Sequence, residues 1–147
     1  METSRIADQL RRSLEGEAWH GPALNQLLED VTAEQADARP AAGAHSIREL
    51  VLHTRAWIQA AGRMLDGENV DLSDSEDWPA GESGDWGQQV ADLADSIQAL
   101  ASRVETLSEE QLEETVPGRD FSYYRLLHGV VQHNLYHAGQ IAILKKC

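Results

Sequence analysis

Two histidines four residues apart are the first sign of chemistry in this sequence. His133 and His137 lie within residues 126–144, whose apolar side chains recur at the spacing of one helical face. Residues four apart on a helix share a side, so both imidazoles project from the face that a bundle helix normally buries. Buried imidazoles need partners, and a divalent metal ion is a common partner of neutral imidazole. The spacing therefore predicts a helix that carries two metal ligands.

A third histidine belongs to an earlier predicted helix, at residues 47–66. Ser46 and Glu49 have the spacing of a capping box that starts this helix. His53 then lies on the flank of its apolar face and points inward. If this helix packs antiparallel to the helix with His133 and His137, all three rings lie at a similar height. Three protein ligands with an open position are typical of catalytic rather than structural zinc sites.

The same residues leave other interpretations open. Core histidines can be satisfied by ordinary hydrogen bonds, and a His-x-x-x-His pair alone is only moderately specific for metal. A zincin-type protease is not expected, because its motif has Glu directly after the first histidine, where this chain has Asn134. Three further side chains are candidates for contacts around the metal or a substrate, with simpler roles on the surface, in the core or at a rim as alternatives: His20, Trp57 and Gln140.

Four helices are needed to position these residues. They are predicted at 3–30 (with a kink or break near 19–22), 47–66, 87–106 and 122–145, because apolar residues recur there at helical spacing and no run reads as a strand. The longest connection, 66–86, contains eight acidic residues and no Lys or Arg. Such a length lets the third helix run parallel to the second, since the chain must return along the bundle. Its later half is then a candidate lid over the metal end.

Length and composition limit the possible functions. A chain of 147 residues suits one domain, 1–147, and its net charge of −13 disfavours nucleic acid and anionic membranes as partners. No apolar run approaches the ~18 residues of a membrane span, and the first residues lack the apolar region of a signal peptide. The single cysteine, Cys147, excludes an intrachain disulfide and a cysteine zinc motif. A cytoplasmic protein is expected.

Two motifs resemble the DinB/YfiT-like superfamily of small bacterial metal-binding bundles. They are AHSIRELVLH at 44–53 and GVVQHNLYHAGQIAIL at 129–144. The segments WHGP at 19–22 and LDG at 65–67 are also similar to this family, so the resemblance covers nearly the whole chain.

The resemblance implies an all-α four-helix bundle in up-down-down-up order, with a long crossover between helices two and three. It implies one divalent metal ion, with zinc and nickel as the first candidates, held by residues that map onto His53, His133 and His137. Homodimers are frequent in the family. Characterised relatives include bacillithiol- and mycothiol-dependent S-transferases and a mycothiol-dependent maleylpyruvate isomerase.

A metal-dependent transferase is the function that this resemblance favours, with a low-molecular-weight thiol and a small electrophile as substrates. Two alternatives stay open: a metal-dependent hydrolase, and a non-catalytic dimeric bundle that binds metal or a small ligand. A purely structural bundle with buried histidines is a third. The sequence offers no clear general base, which slightly favours transfer, since a thiolate needs none once it has lost its proton.

Overall fold

The computed structural model describes residues 1–40, 42–80 and 84–147, and its regular elements there are all helices. Apart from one isolated bridge between Thr115 and Ser122, these residues form no β-structure. The all-α prediction is therefore confirmed. The helices are α1 (Glu2–Leu14), α2 (Leu24–Leu28), α3 (Ala33–Asp37), α4 (Ile47–Leu65), α5 (Asp74–Asp77), α6 (Trp86–Glu105), α7 (Glu109–Glu113) and α8 (Tyr123–Leu144).

The predicted capping box fixes the start of α4 and therefore the position of His53. Ser46 Oγ accepts a hydrogen bond from the Glu49 backbone N–H at 3.2 Å, and a Glu49 carboxylate oxygen accepts one from the Ser46 N–H at 2.9 Å. These contacts satisfy two of the free N–H groups at the helix start. The helix ends at Leu65, just before Gly67, whose φ of +88° favours glycine.

The four long helices pack in a ring, in which α1 and α4 each contact both α6 and α8. Arg48 near the start of α4 hydrogen-bonds Gln89 near the start of α6, and Asp66 after α4 hydrogen-bonds Arg103 near the end of α6. These two helices therefore run in the same direction. The crossover between them is the long acidic connection that the sequence predicts.

The helices α4 and α8 run in opposite directions. Near the end of α4, the Met64 carbonyl accepts a hydrogen bond of 2.7 Å from the hydroxyl of Tyr123, the first residue of α8. His53, in the first half of α4, lies beside His133 at the middle of α8. This arrangement gives the three histidines the common height that the sequence argument requires.

Two parts of the chain differ from the sequence prediction. The break in the first predicted helix is wider than expected, because α1 already ends at Leu14 and α2 begins only at Leu24. Gly16 and Gly21, with φ of +84° and +129°, turn the chain between them. The crossover contains the short helix α5, which periodicity did not predict. Residues 81–83 of the crossover lie outside the described residues, so this part of the predicted lid is not described.

The core lies between the long helices. Its most deeply buried side chains include Leu10 of α1 and Ile97 of α6, both fully buried. Within the described ranges, each helix is too short or too polar to cross a bilayer.

Candidate metal centre

Three imidazole rings converge between α4 and α8. The Nε2 atom of His133 lies 3.0 Å from Nε2 of His53 and 3.0 Å from Nε2 of His137. His53 and His137 are only 6% and 5% exposed, and His133 is half-buried. Within the described part of the chain, these rings form the only group of three or more His, Cys, Asp or Glu side chains with ligand atoms all within 4.8 Å of one another.

The separations between the nitrogens suit a shared metal ion. Two ligand nitrogens that each lie ~2.1 Å from one ion are roughly 3.0–3.4 Å apart when the angle at the ion is between about 90° and 110°. The two separations of 3.0 Å, from His133 to His53 and from His133 to His137, agree with this range. The structure thus brings together the three residues that the sequence predicted as ligands, with the same nitrogen of each ring directed inward.

The outward nitrogens of two rings are held by oxygen acceptors. His53 Nδ1 lies 2.7 Å from the Asp77 carbonyl oxygen, and His137 Nδ1 lies 2.6 Å from Gln140 Oε1. Because these oxygens can only accept, the ring hydrogen of each neutral histidine must be on Nδ1. Both inward Nε2 atoms then present a lone pair. Such outer partners commonly orient histidine ligands of metals.

Burial favours the neutral form of two of the three rings. Burial, together with the nearby His137 and His53, lowers the pKa of His133 to about 4, and burial also lowers the pKa of His137. His133 Nδ1 is buried and has no hydrogen-bond partner among the described residues. When the three rings are neutral, at most one of the three facing nitrogens carries a hydrogen. A divalent cation would be bound by these lone pairs and would remove their mutual repulsion, so the residues fit a metal ion.

A second layer of contacts comes from the crossover, in the half that the sequence analysis considered as a lid, although that analysis did not assign its residues Asp77 and Trp78 to the site. Asp77 Oδ1 accepts a hydrogen bond of 2.6 Å from Trp57 Nε1 and lies 3.1 Å from His53 Nδ1. The Trp78 ring stacks on His53 at 3.9 Å between centroids, and its stacking on His45 is closer, at 3.6 Å. The middle of the crossover therefore covers His53 and fixes the orientation of its ring.

One sequence signal could have located this segment. Ser73 and Glu76 form a capping box, in which Glu76 accepts hydrogen bonds from both the backbone N–H and the hydroxyl of Ser73. This Ser-x-x-Glu spacing starts α5 and brings Asp77 and Trp78 to the site. The spacing predicts a helical turn, but it does not predict what the turn contacts.

The three other candidate residues occupy different surroundings. Gln140 and Trp57 belong to the site, since Gln140 is the partner of His137 and Trp57 is the partner of Asp77. His20 is exposed and lines a separate cleft of about 630 Å³ between the end of α1 and α8. Its neighbours there lie on a different side of α8 from the metal histidines, so the structure does not bring His20 to the cluster.

An apolar groove adjoins the histidine cluster. It has a volume of about 350 Å³, and His133 forms part of its wall. This volume lies within the usual range for small-molecule sites. The other large apolar side chains of its lining are Trp57 of α4, Phe121 just before α8, and Leu126 and Val130 in the first half of α8. A small apolar substrate could therefore lie next to a metal ion held by the three histidines.

Comparison with known proteins identifies the family. The model of the DinB superfamily matches residues 18–141, which include all three histidines. The chain belongs to the DinB superfamily. No significant match was found among curated proteins or among solved structures. Membership in this superfamily and the buried three-histidine group together support a metal-binding function.

Proposed function

We propose that this DinB superfamily protein is a metal-dependent S-transferase that joins a low-molecular-weight thiol to a small electrophile. His53, His133 and His137 would hold one divalent ion, with zinc and nickel as the first candidates. The observation that carries the proposal is the convergence of three imidazole nitrogens beside an apolar groove. A bound divalent ion lowers the pKa of a thiol and so supplies a thiolate at neutral pH.

The residues around the histidines would orient ligands and exclude water. The Asp77 carbonyl and Gln140 Oε1 keep the hydrogens of His53 and His137 on their outer nitrogens. The groove next to His133 would hold the apolar part of the electrophile. In the reaction, the thiol proton passes to water and the sulfur forms a bond to an electrophilic carbon. The leaving group departs with its electron pair.

The position of the nearest carboxylate favours transfer over hydrolysis. Among the described residues, Asp77 is the only acidic side chain in contact with a ligand histidine, and it lies at the outer nitrogen of His53. Its Oδ1 already accepts a hydrogen bond from Trp57. It is therefore poorly placed to take a proton from a nucleophile at the inward nitrogens. A thiol that ionises before attack does not need such a base.

The up-down-down-up order of the four long helices is part of the same proposal. The contacts between α4 and α6 and between α4 and α8 support it, as does a parallel pairing of α1 with α8. In that pairing, Glu2 lies near His128, and Ser13 hydrogen-bonds Asn134. This order explains why a long crossover is needed and why its middle can reach His53.

A homodimer is also proposed, through the outer face of α8. Tyr136 and Ile143 are seven residues apart on this helix and are 67% and 66% exposed. Large apolar side chains this exposed on one helical face are typical of protein interfaces. The mass of the protein in solution, measured by light scattering, tests this expectation against a monomer.

The S-transferase proposal can be tested with protein purified without a histidine tag. After loading with zinc or nickel, the protein is incubated with bacillithiol, mycothiol or glutathione and with styrene oxide or 1-chloro-2,4-dinitrobenzene. We expect thioether products that require the metal and that His137→Ala no longer forms. His20→Ala is the matched control, because His20 lies in a separate cleft, and it should keep full activity.

Two results would overturn this proposal. Metal-dependent cleavage of p-nitrophenyl acetate without thioether formation would identify a hydrolase. Bound metal at one ion per chain without turnover of any of these substrates would identify a non-catalytic binding protein.

A further inference from the structure

One arginine beside the apolar groove has no acidic partner among the described residues, although acidic residues are in large excess. The chain has 25 Asp and Glu but only 12 Lys and Arg. Ten of these 12 basic side chains form ion pairs with carboxylates in the described ranges. The two without one there are Arg125 and Lys146, and Lys146 is next to the last residue. In so acidic a protein, an arginine that pairs with no carboxylate of the described residues calls for another explanation.

The charge of Arg125 does not stabilise the helix to which it belongs. It lies in the first turn of α8, where the helix dipole opposes a positive charge and favours an acidic residue. Its guanidinium instead lies over the Phe121 ring, 5.4 Å from the centroid. This contact holds the charge at the groove, because both residues belong to the groove lining.

The groove therefore combines an apolar wall with a single cationic group. Apart from Arg125 and His133, its lining is apolar: Trp57, Phe121, Leu126, Gly129 and Val130. Such a surface is complementary to a molecule that has an apolar body and one negative group. An arginine guanidinium pairs especially well with a carboxylate, because its two parallel N–H groups match the two oxygens.

We propose that this groove binds a small carboxylate with an apolar, ring-sized body, and that Arg125 pairs with its carboxyl group. The inference rests on the proposed function and names the class of its electrophile: an apolar electrophile that carries one carboxylate. Arg125 then sets specificity, since it favours the anionic member of a pair of substrates with the same apolar body. Its wall neighbour His133 places the bound molecule next to the metal ligands.

Binding of two unreactive probes tests the role of the charge. Calorimetric titration of the metal-loaded protein compares 2-naphthoate with 2-naphthamide, which has the same ring system without the charge. We expect tighter binding of naphthoate, and in Arg125→Gln a loss of about threefold to tenfold for naphthoate only. Arg5→Gln removes the same charge from an exposed position on α1 and should leave both affinities unchanged.

A carboxylate could also bind the metal directly, and the same titrations separate this case. If the preference for naphthoate persists in Arg125→Gln and disappears in His137→Ala, the anion binds at the ion and the proposal is wrong. Equal binding of the two probes by the unmodified protein would also overturn it.

Two glycines of α8 provide a matched steric test of the groove. Gly129 lines the groove and Gly139 does not, yet a Cβ added at either position would meet no atom within 4 Å. Leucine at either site should therefore be accommodated by the fold. Gly129→Leu should weaken both probes by about tenfold or more by filling the groove, while Gly139→Leu should weaken neither. Equal behaviour of the two variants would show that the probes bind elsewhere.

These binding measurements are independent of turnover, so the two proposals can fail separately. If Arg125→Gln and Gly129→Leu weaken probe binding as expected but no thiol is transferred, the carboxylate site in the groove stands and the S-transferase proposal fails. If thioethers form with styrene oxide but Arg125→Gln and Gly129→Leu leave probe binding unchanged, the S-transferase proposal stands and the groove assignment fails.

Discussion

His133 and Asn134 are neighbours in the chain, yet they belong to two different buried polar clusters on α8. Asn134 is fully buried, and its Nδ2 donates a hydrogen bond of 3.1 Å to Ser13 Oγ. Ser13 Oγ in turn donates to the Leu10 carbonyl at 2.6 Å, so this cluster ends on the backbone of α1. The cluster of His133 ends instead on three ring nitrogens that face one another.

The difference separates a structural cluster from a binding cluster. Hydrogen bonds that end on backbone groups contribute to stability in the absence of any ligand. Facing lone pairs contribute only when a cation binds them, so the stability that they provide depends on ligand concentration. Substitutions in the two clusters should therefore respond differently to added metal.

The largest effect is expected from loss of a histidine ligand. With metal at about 100 times its dissociation constant, binding should stabilise the native protein by ~2.7 kcal/mol. For a protein of this size, each kcal/mol raises the melting temperature by roughly 2–4 °C. His137→Ala should lose most of this gain, as measured by thermal unfolding with zinc and with a chelator. An unchanged metal-dependent shift would show that His137 is not a ligand.

Asn134→Ala should give the opposite pattern. It removes a buried hydrogen bond and leaves Ser13 Oγ without its donor, which should cost about 1–3 kcal/mol of unfolding free energy. Urea denaturation should give the same loss with and without metal, and metal affinity should be unchanged. A loss that appears only in the presence of metal would contradict the separation of the two clusters.

Asp77→Asn should have a smaller effect on metal affinity than loss of a ligand. Removal of an outer partner typically weakens metal binding by about 10- to 100-fold, and we expect the lower end, because the Asp77 carbonyl still holds His53. Competition with a chelating dye measures this change. Asp74→Asn, in the same short helix but exposed, is the matched control. Equal affinities of the two variants would exclude a role for the Asp77 carboxylate.

The last effect concerns the pH dependence of the metal-free protein. Burial lowers the pKa of His133 to about 4 from its usual 6.5, so the unfolded chain takes up a proton from this group at a higher pH than the folded chain. This difference in the pKa of His133 therefore lowers the free energy of unfolding as the pH falls from 6.5 to about 4. Between pH 6.5 and about 4, the free energy of unfolding of His133→Gln should fall less than that of the unmodified protein. Above pH 6.5, urea denaturation should give the same pH dependence for both proteins.

The sequence predicted the elements that have a periodic pattern. Residues 47–66 and 122–145 follow helical spacing and have capping signals, so α4, α8 and the inward direction of His53 could be found without a structure. The same reasoning placed His20 near a break in the first helix, but periodicity could not show which side of α8 that break would face.

The features that the sequence did not predict depend on contacts between distant segments. Asp77 and Trp78 follow a single helical turn in an acidic connection, and nothing in that composition indicates that they reach His53. The isolation of Arg125 is likewise a property of the folded chain, because a sequence does not show which of 25 carboxylates pairs with which arginine. Such pairings are set by tertiary packing and not by local propensity.

The distance along the chain between the ligands has a kinetic consequence. His53 and His133 are 80 residues apart, and their rings meet only after α4 and α8 have docked. A partly folded chain with these helices apart cannot offer the complete ligand set, so a cation should bind after the rate-limiting step of folding. Added zinc should then slow the unfolding limb of a stopped-flow experiment and leave the refolding limb nearly unchanged.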